Sequence, residues 1–162
     1  EAEGFIERGP KTGYFVPTLG PDDLLEVAEV RMMLEGGAIK RIIQKELNTT
    51  ESLQPLSEAC DQLERLLKEN YLLGVAEADR RYHEALIDAA RNRRLGVLYR
   101  RAPLPIIHPV LISSSQWVSR VDRTLQEHRA MIEAIRRGRL AEALETLRTH
   151  LRERAFIPLY AG

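Results

Sequence analysis

Three of the four histidines in this 162-residue sequence fall on apolar faces of predicted helices, where an imidazole is an unusual side chain. His83 lies in the middle of one such stripe, and Asp79 lies on the same face one helical turn before it. A carboxylate one turn from an imidazole is a natural pair of metal ligands. Because a buried ion pair would give the same spacing, this pair by itself leaves both interpretations open.

The other two inward histidines lie on either side of a predicted turn at Gly138. His128 precedes that glycine by 10 residues, and His150, nearer the edge of its stripe, follows it by 12. In an antiparallel helix pair these separations place the two imidazoles level to within about 3 Å along the helix axis. Together with Asp79 and His83 they can converge inside one bundle, which favours a metal site over four unrelated buried residues.

Two charged residues interrupt the apolar stripe of the first predicted helix. Arg31 and Glu35 lie at its centre, four residues apart. They can pair with each other, which is the simpler interpretation. Alternatively, Arg31 points into the bundle and binds an anion, and Glu35 orients it.

The elements that must position these residues are helices joined by short connections. Helix-start and helix-stop residues, such as Pro21 and Gly138, set the predicted boundaries. The predicted helices cover about 21–47, 51–69, 72–91, 93–101, 116–137 and 139–156. This pattern predicts an all-α, antiparallel bundle of about six helices. The segment 103–109 holds three prolines and His108, which we interpret as structural, and it cannot be a continuous helix.

Residues 1–18 differ from the rest, because two short β-prone runs flank turn residues 9–13. They predict a β-hairpin, and since a lone hairpin is marginal in water we expect it to be the end of a preceding domain. The remaining residues, 19–162, form the helical domain.

Composition excludes several classes of protein. Lys and Arg total 24 and Asp and Glu total 24, so the net charge is zero, which argues against nucleic-acid binding by the chain as a whole. Cys60 is the one cysteine, so neither an intrachain disulfide nor a cysteine-based zinc site is expected. No apolar run approaches the roughly 18 residues of a membrane span, and the N-terminal residues do not resemble a signal peptide. We expect a cytoplasmic protein without a membrane partner.

Four runs of sequence, in order, resemble the FCD domain, the effector-binding domain of FadR-type GntR transcription regulators. They are EVRMMLE at 29–35, ADRRYHEAL at 78–86 with NRRL at 92–95, EHRAMIEAI at 127–135, and THL at 149–151. The resemblance covers about residues 20–156 and implies an all-α antiparallel bundle. It also implies that the chain is a ligand-sensing domain and not an enzyme.

The resemblance further implies roles for particular residues. The metal ligands are Asp79, His83, His128 and His150. They would hold one divalent zinc, nickel or manganese ion per subunit. Four protein ligands leave one or two coordination positions open, and a small carboxylate effector could fill them.

We expect Arg31 and Glu35 to bind the effector because they lie at the centre of the first apolar stripe, and the resemblance adds Asn92 more weakly. The hairpin corresponds to the wing of a winged helix, with Arg8 and Lys11 as DNA contacts. We expect the recognition helix to precede residue 1, and the full regulator to bind its operator as a homodimer.

A second function class remains open from the residues themselves. A metal-dependent hydrolase or lyase could use an open metal position to activate water, with Glu35 as the one candidate general base. A ferritin-like di-iron protein is disfavoured, because it needs Glu-x-x-His pairs and the pair here is Asp79 with His83.

Overall fold

The computed structural model describes residues 7–8, 14–15, 21–102 and 115–155 of the chain, with side chains for 22–102 and 121–152. Within these residues two short strands precede six helices. The strands are β1 (Glu7–Arg8) and β2 (Tyr14–Phe15), which pair antiparallel where the hairpin is predicted. The helices are α1 (Pro21–Gln44), α2 (Thr50–Lys68), α3 (Leu72–Ala89), α4 (Arg93–Arg101), α5 (Ser115–Arg136) and α6 (Leu140–Ala155).

The predicted all-α fold is confirmed, and each helix begins and ends close to its predicted boundary. The largest difference is at the end of α1, predicted near Leu47 and observed at Gln44. There the chain leaves the helix through Glu46, which has a positive φ of 55°. The proline-rich segment 103–109, His108 and the hairpin turn with Lys11 lie outside the described residues.

Local chemistry fixes the helix ends. The side chain of Thr49 accepts a hydrogen bond from the backbone N–H of Ser52 and so caps α2. Asn48 joins the α1–α2 connection to the end of α5, because its amide donates to the carbonyls of Ile135 and Arg136. Gly138 turns the chain from α5 to α6 with a φ of 68°, a conformation that glycine adopts without strain.

The bundle buries one continuous apolar core. Helix α6 packs against both α1 and α5, α2 packs against α3 and α5, and α4 packs against α3. Fully buried side chains from five helices fill the interior, including Ile39, Leu56, Leu86, Ile135 and Leu147. No helix among the described residues is both long and apolar enough to cross a membrane.

Candidate metal centre

Four buried side chains from three helices meet inside this core. Helix α3 supplies Asp79 and His83, α5 supplies His128, and α6 supplies His150. One ligand atom from each lies within 4.8 Å of the others, and none of the four residues is more than 1% exposed. The rings of His128 and His150 have centroids 4.8 Å apart, so the two histidines stand at the same level of the α5–α6 pair.

The distances within the cluster suit a shared cation. Nε2 of His83 lies 3.2 Å from Nε2 of His150. Oδ2 of Asp79 lies 4.0 Å from Nε2 of His83, and its Oδ1 lies 3.6 Å from Nε2 of His128. Two nitrogens bound at about 2.1 Å to one ion are separated by roughly 3.0 to 3.4 Å at octahedral or tetrahedral angles. The separation of the two Nε2 atoms falls in that range.

Hydrogen bonds on the far side of two imidazoles fix which nitrogen faces the cluster. Nδ1 of His83 lies 2.7 Å from Oε2 of Glu35, and Nδ1 of His150 lies 2.9 Å from Oε2 of Glu127. Because a carboxylate only accepts, each Nδ1 carries the proton and donates it. Each neutral ring then presents the Nε2 lone pair to the cluster. Two acceptors facing each other at this distance fit a cation between them.

An aromatic ring fixes the third imidazole. The ring of Tyr82 stacks on the ring of His128 with centroids 3.6 Å apart and planes within 7°. The Tyr82 hydroxyl also donates to the backbone carbonyl of His128 across a distance of 3.2 Å. Burial raises the pKa of this hydroxyl well above its usual value, so it stays protonated and able to donate.

Electrostatics favour the neutral form of the His83 imidazole. Burial, and then the positive charge of Arg31, lower the pKa of His83 well below its usual value. A neutral imidazole is the form that binds a metal ion. Burial opposes the charge of Arg31 itself, but the neighbouring Glu35 carboxylate, Tyr99 and Asp79 outweigh it and raise the pKa of the guanidinium.

Arg31 and Glu35 lie beside the cluster and pair, as the simpler sequence interpretation has it. Nε of Arg31 donates to Oε1 of Glu35 over 2.8 Å, and the Tyr99 hydroxyl donates to the same oxygen over 2.8 Å. The guanidinium is nevertheless not fully satisfied. Its Nη2 is buried and has no hydrogen-bond partner among the described residues. The pair therefore leaves a donor that an anion can use.

The remaining sequence candidates are placed differently. Asn92 is exposed, and its side chain caps α4 by accepting from the backbone N–H of Leu95, so its hydrogen bond serves the helix start and not the cluster. Arg8 lies in strand β1.

Three contributors were not singled out in the sequence: Tyr82, Tyr99 and Glu127. In the sequence, Tyr82 could have been found from its position next to His83 on the same apolar stripe. Glu127 is a partly buried carboxylate directly before His128, a position that the stripe of α5 does not mark.

The sequence matches the family model of the FCD domain over residues 26–153. Among curated proteins, it is 33% identical over 91 residues to an HTH-type transcriptional regulator in the TAR-I ttuE-ttuC' intergenic region of Agrobacterium vitis. That alignment covers 56% of this chain and 53% of the relative, so the chain spans about half the length of this curated relative.

Solved structures share the fold. The GntR transcriptional regulator from Rhodococcus sp. RHA1 is 19% identical with a TM-score of 0.74, and the match covers 95% of this chain and 72% of that one. The metal-free FCD domain of TM0439 is 23% identical with a TM-score of 0.65, covering 86% of this chain and 93% of that domain.

Proposed function

Because the chain belongs to the FCD domain family, we propose that it is the metal- and ligand-sensing part of a DNA-binding transcription regulator. The observation that carries the metal centre is the pair of Nε2 atoms of His83 and His150, which face each other at 3.2 Å while both Nδ1 atoms donate to carboxylates. Asp79 and His128 complete the ligand set. Zinc, nickel and manganese all suit three imidazoles and one carboxylate.

The charges of the site favour a small carboxylate as effector. The charges of Arg31 and Glu35 cancel each other, whereas the two positive charges of a divalent ion would exceed the single negative charge of Asp79. The site is then net positive, and the buried Nη2 of Arg31 has no acceptor among the residues that the structure describes. A mono- or dicarboxylate, such as a hydroxy acid or sugar acid, would supply both the negative charge and the acceptor. When bound by these residues, a divalent ion would act as a Lewis acid toward that carboxylate.

The same contacts disfavour the alternative of a metal-dependent hydrolase or lyase. Glu35, the candidate general base, already accepts hydrogen bonds from Arg31, His83 and Tyr99. Its two oxygens already serve these three donors, so a water would have to displace one of them before Glu35 could accept a proton. The Agrobacterium vitis relative is also named as an HTH-type transcriptional regulator.

We further propose that DNA is bound through a winged helix of which the β1–β2 hairpin is the wing, in a homodimer located in the cytoplasm. Arg8 and Lys11 are the proposed phosphate contacts. Residues 1–162 alone, with zero net charge, are expected not to bind an operator specifically. A gel-shift assay comparing them with a longer chain tests this, and nanomolar specific binding by residues 1–162 would contradict it.

Elemental analysis of protein purified without a metal-affinity tag tests the metal centre. We expect about one divalent ion per subunit, lost in His128→Ala and His150→Ala. The control is Arg148→Ala, because Arg148 is exposed on the same helix as His150 and pairs only with Glu145 among the described residues. Metal content unchanged in either histidine variant would refute the site.

Calorimetry against a panel of hydroxy acids and sugar acids tests the effector class. We expect binding that requires the metal and is weakened by Arg31→Ala, with Arg148→Ala again as the control. A carboxylate that binds equally well to metal-free protein and to Arg31→Ala would rule out this arrangement. If Arg31→Ala alone is silent, Arg31 serves only its pair with Glu35.

A further inference from the structure

The Glu35 carboxylate receives hydrogen bonds from three directions. Oε1 accepts from Nε of Arg31, on the same helix, and from the hydroxyl of Tyr99 on α4, each over 2.8 Å. Oε2 lies 2.7 Å from Nδ1 of the metal-ligand candidate His83 on α3. Glu35 is 0% exposed, so no solvent can replace a lost partner. One buried carboxylate therefore holds both the candidate anion anchor and a candidate metal ligand.

The three donors differ in how freely they can adapt. A tyrosine hydroxyl can rotate and accept as well as donate. Arg31 has no acceptor atom and stays charged. His83 can change tautomer, but accepting at Nδ1 would move its proton to Nε2, the nitrogen that faces the cluster. Both oxygens of Glu35 must therefore be acceptors if Arg31 and His83 are each to keep their orientation.

We propose that Glu35 is the positioning residue that makes metal binding and anion binding interdependent, because its two oxygens orient His83 and Arg31 at once. The inference rests on the proposed function. An anion that draws the Arg31 guanidinium toward itself alters the hydrogen bond to Oε1, and the same carboxylate orients His83 through Oε2. By thermodynamic linkage, the metal must change the affinity for the anion by the same factor as the anion changes the affinity for the metal.

The substitution Glu35→Gln turns this arrangement into a conflict. An amide offers one acceptor oxygen, and the charged Arg31 takes it because Arg31 cannot accept from the amide N–H₂. The N–H₂ group then faces Nδ1 of His83 and forces the proton onto Nε2. We expect a loss of roughly 10- to 100-fold in Zn²⁺ affinity, the usual effect of removing a partner of a metal-bound histidine.

The double variant Arg31→Met/Glu35→Gln separates positioning from mere packing. With Arg31 gone, the amide can turn so that its oxygen accepts from Nδ1 of His83 and its N–H₂ group faces Tyr99. We expect Zn²⁺ affinity to recover to that of Arg31→Met alone. If Glu35 contributed only to packing, adding Arg31→Met to Glu35→Gln would lower the Zn²⁺ affinity further.

Glu127→Gln is the matched control on the other side of the cluster. Glu127 similarly joins Nε of Arg123 and Nδ1 of His150, at 3.1 and 2.9 Å. The Arg123 side chain is 56% exposed, so water can satisfy it and the amide is free to turn toward His150. We therefore expect a smaller loss of Zn²⁺ affinity than for Glu35→Gln.

The experiment is a chelator-competition titration with Zn²⁺ on the intact chain, combined with Co²⁺ visible absorption spectra and thermal unfolding of each metal-free variant. Glu35→Gln should shift the Co²⁺ spectrum, and the double variant should restore it. Wild-type affinity in Glu35→Gln, or a double variant as weak as Glu35→Gln, would overturn the inference. If the wild-type chain itself binds no metal, it is the proposed function that fails.

Discussion

Removal of the proposed metal ion is expected to loosen the packing of three helices at once. The candidate ligands lie on α3, α5 and α6, and all are buried. Without a cation, the Nε2 atoms of His83 and His150 face each other as two acceptors at 3.2 Å. The metal-free chain must then relieve this contact by changing a tautomer, which costs one of the two carboxylate hydrogen bonds, or by separating the helices.

The size of the effect follows from binding linkage. A ligand present at about 1,000 times its dissociation constant stabilises the folded state by about 4.1 kcal/mol. In a domain of roughly 150 to 250 residues, each kcal/mol shifts the melting temperature by about 2–4 °C. We therefore expect a chelator to lower the melting temperature by about 8–16 °C relative to the metal-saturated chain.

Differential scanning calorimetry of metal-loaded, chelated and reloaded protein measures this shift. His128→Ala is the control, because a chain that has lost a ligand should melt at one temperature with or without chelator. Recovery of the original melting temperature on adding Zn²⁺ excludes irreversible damage by the chelator. If the melting temperature shifts by less than about 2 °C, with metal loss verified by elemental analysis, the four side chains do not stabilise the packing of α3, α5 and α6 through a metal ion.

Three further outcomes are expected elsewhere in the fold. Leu147→Ala should lower the free energy of unfolding by about 2–5 kcal/mol in urea denaturation. Its control is Leu73→Ala, at a side chain that is 62% exposed, which should change the free energy of unfolding by no more than about 0.5 kcal/mol. Asn48→Ala should cost about 1 kcal/mol in the same assay, because the carbonyl of Ile135 loses a donor; an unchanged value would mean that water replaces the amide. Burial raises the pKa of the Cys60 thiol to about 12, so it should resist alkylation at pH 8 until the chain unfolds. Because the thiol ionises at a lower pH in the unfolded chain, the contribution of the buried Cys60 to the free energy of unfolding should decline as the pH rises from about 9 toward 12. Rapid labelling of Cys60 in the folded chain would contradict its burial.

Helical periodicity was sufficient to predict most of the fold, because the predicted helices carry apolar stripes and the connections contain strong start and stop residues. The same periodicity located the inward polar residues. Arithmetic around Gly138 placed His128 and His150 level, since two antiparallel helices with a tight turn have little freedom in their relative height.

Where one helix packs against neighbours on two sides, periodicity predicted the burial of its residues less well. His150 was predicted near the edge of its stripe but is only 1% exposed. Helix α6 packs against α1 as well as α5, so a second face is covered that a single stripe does not reveal.

The residues that orient the cluster depend on contacts between helices. Tyr99 reaches Glu35 because α4 packs against α3, which itself packs against α1. Glu127 lies beside His128 in sequence, yet its imidazole partner is His150 on the next helix. Such pairings need the relative rotation of two helices, which one sequence does not provide.

The stacked pair of Tyr82 and His128 gives the centre an intrinsic optical reporter. A phenol ring held face to face with an imidazole at a centroid distance of 3.6 Å lies in a fixed, asymmetric environment, and such chromophores produce near-ultraviolet circular dichroism. Coordination of a metal ion by His128 would change the electron density of the ring against which the phenol lies. The difference spectrum between loaded and chelated protein, absent in Tyr82→Leu, would allow occupancy to be followed in real time, without any label and without perturbing the ligands themselves.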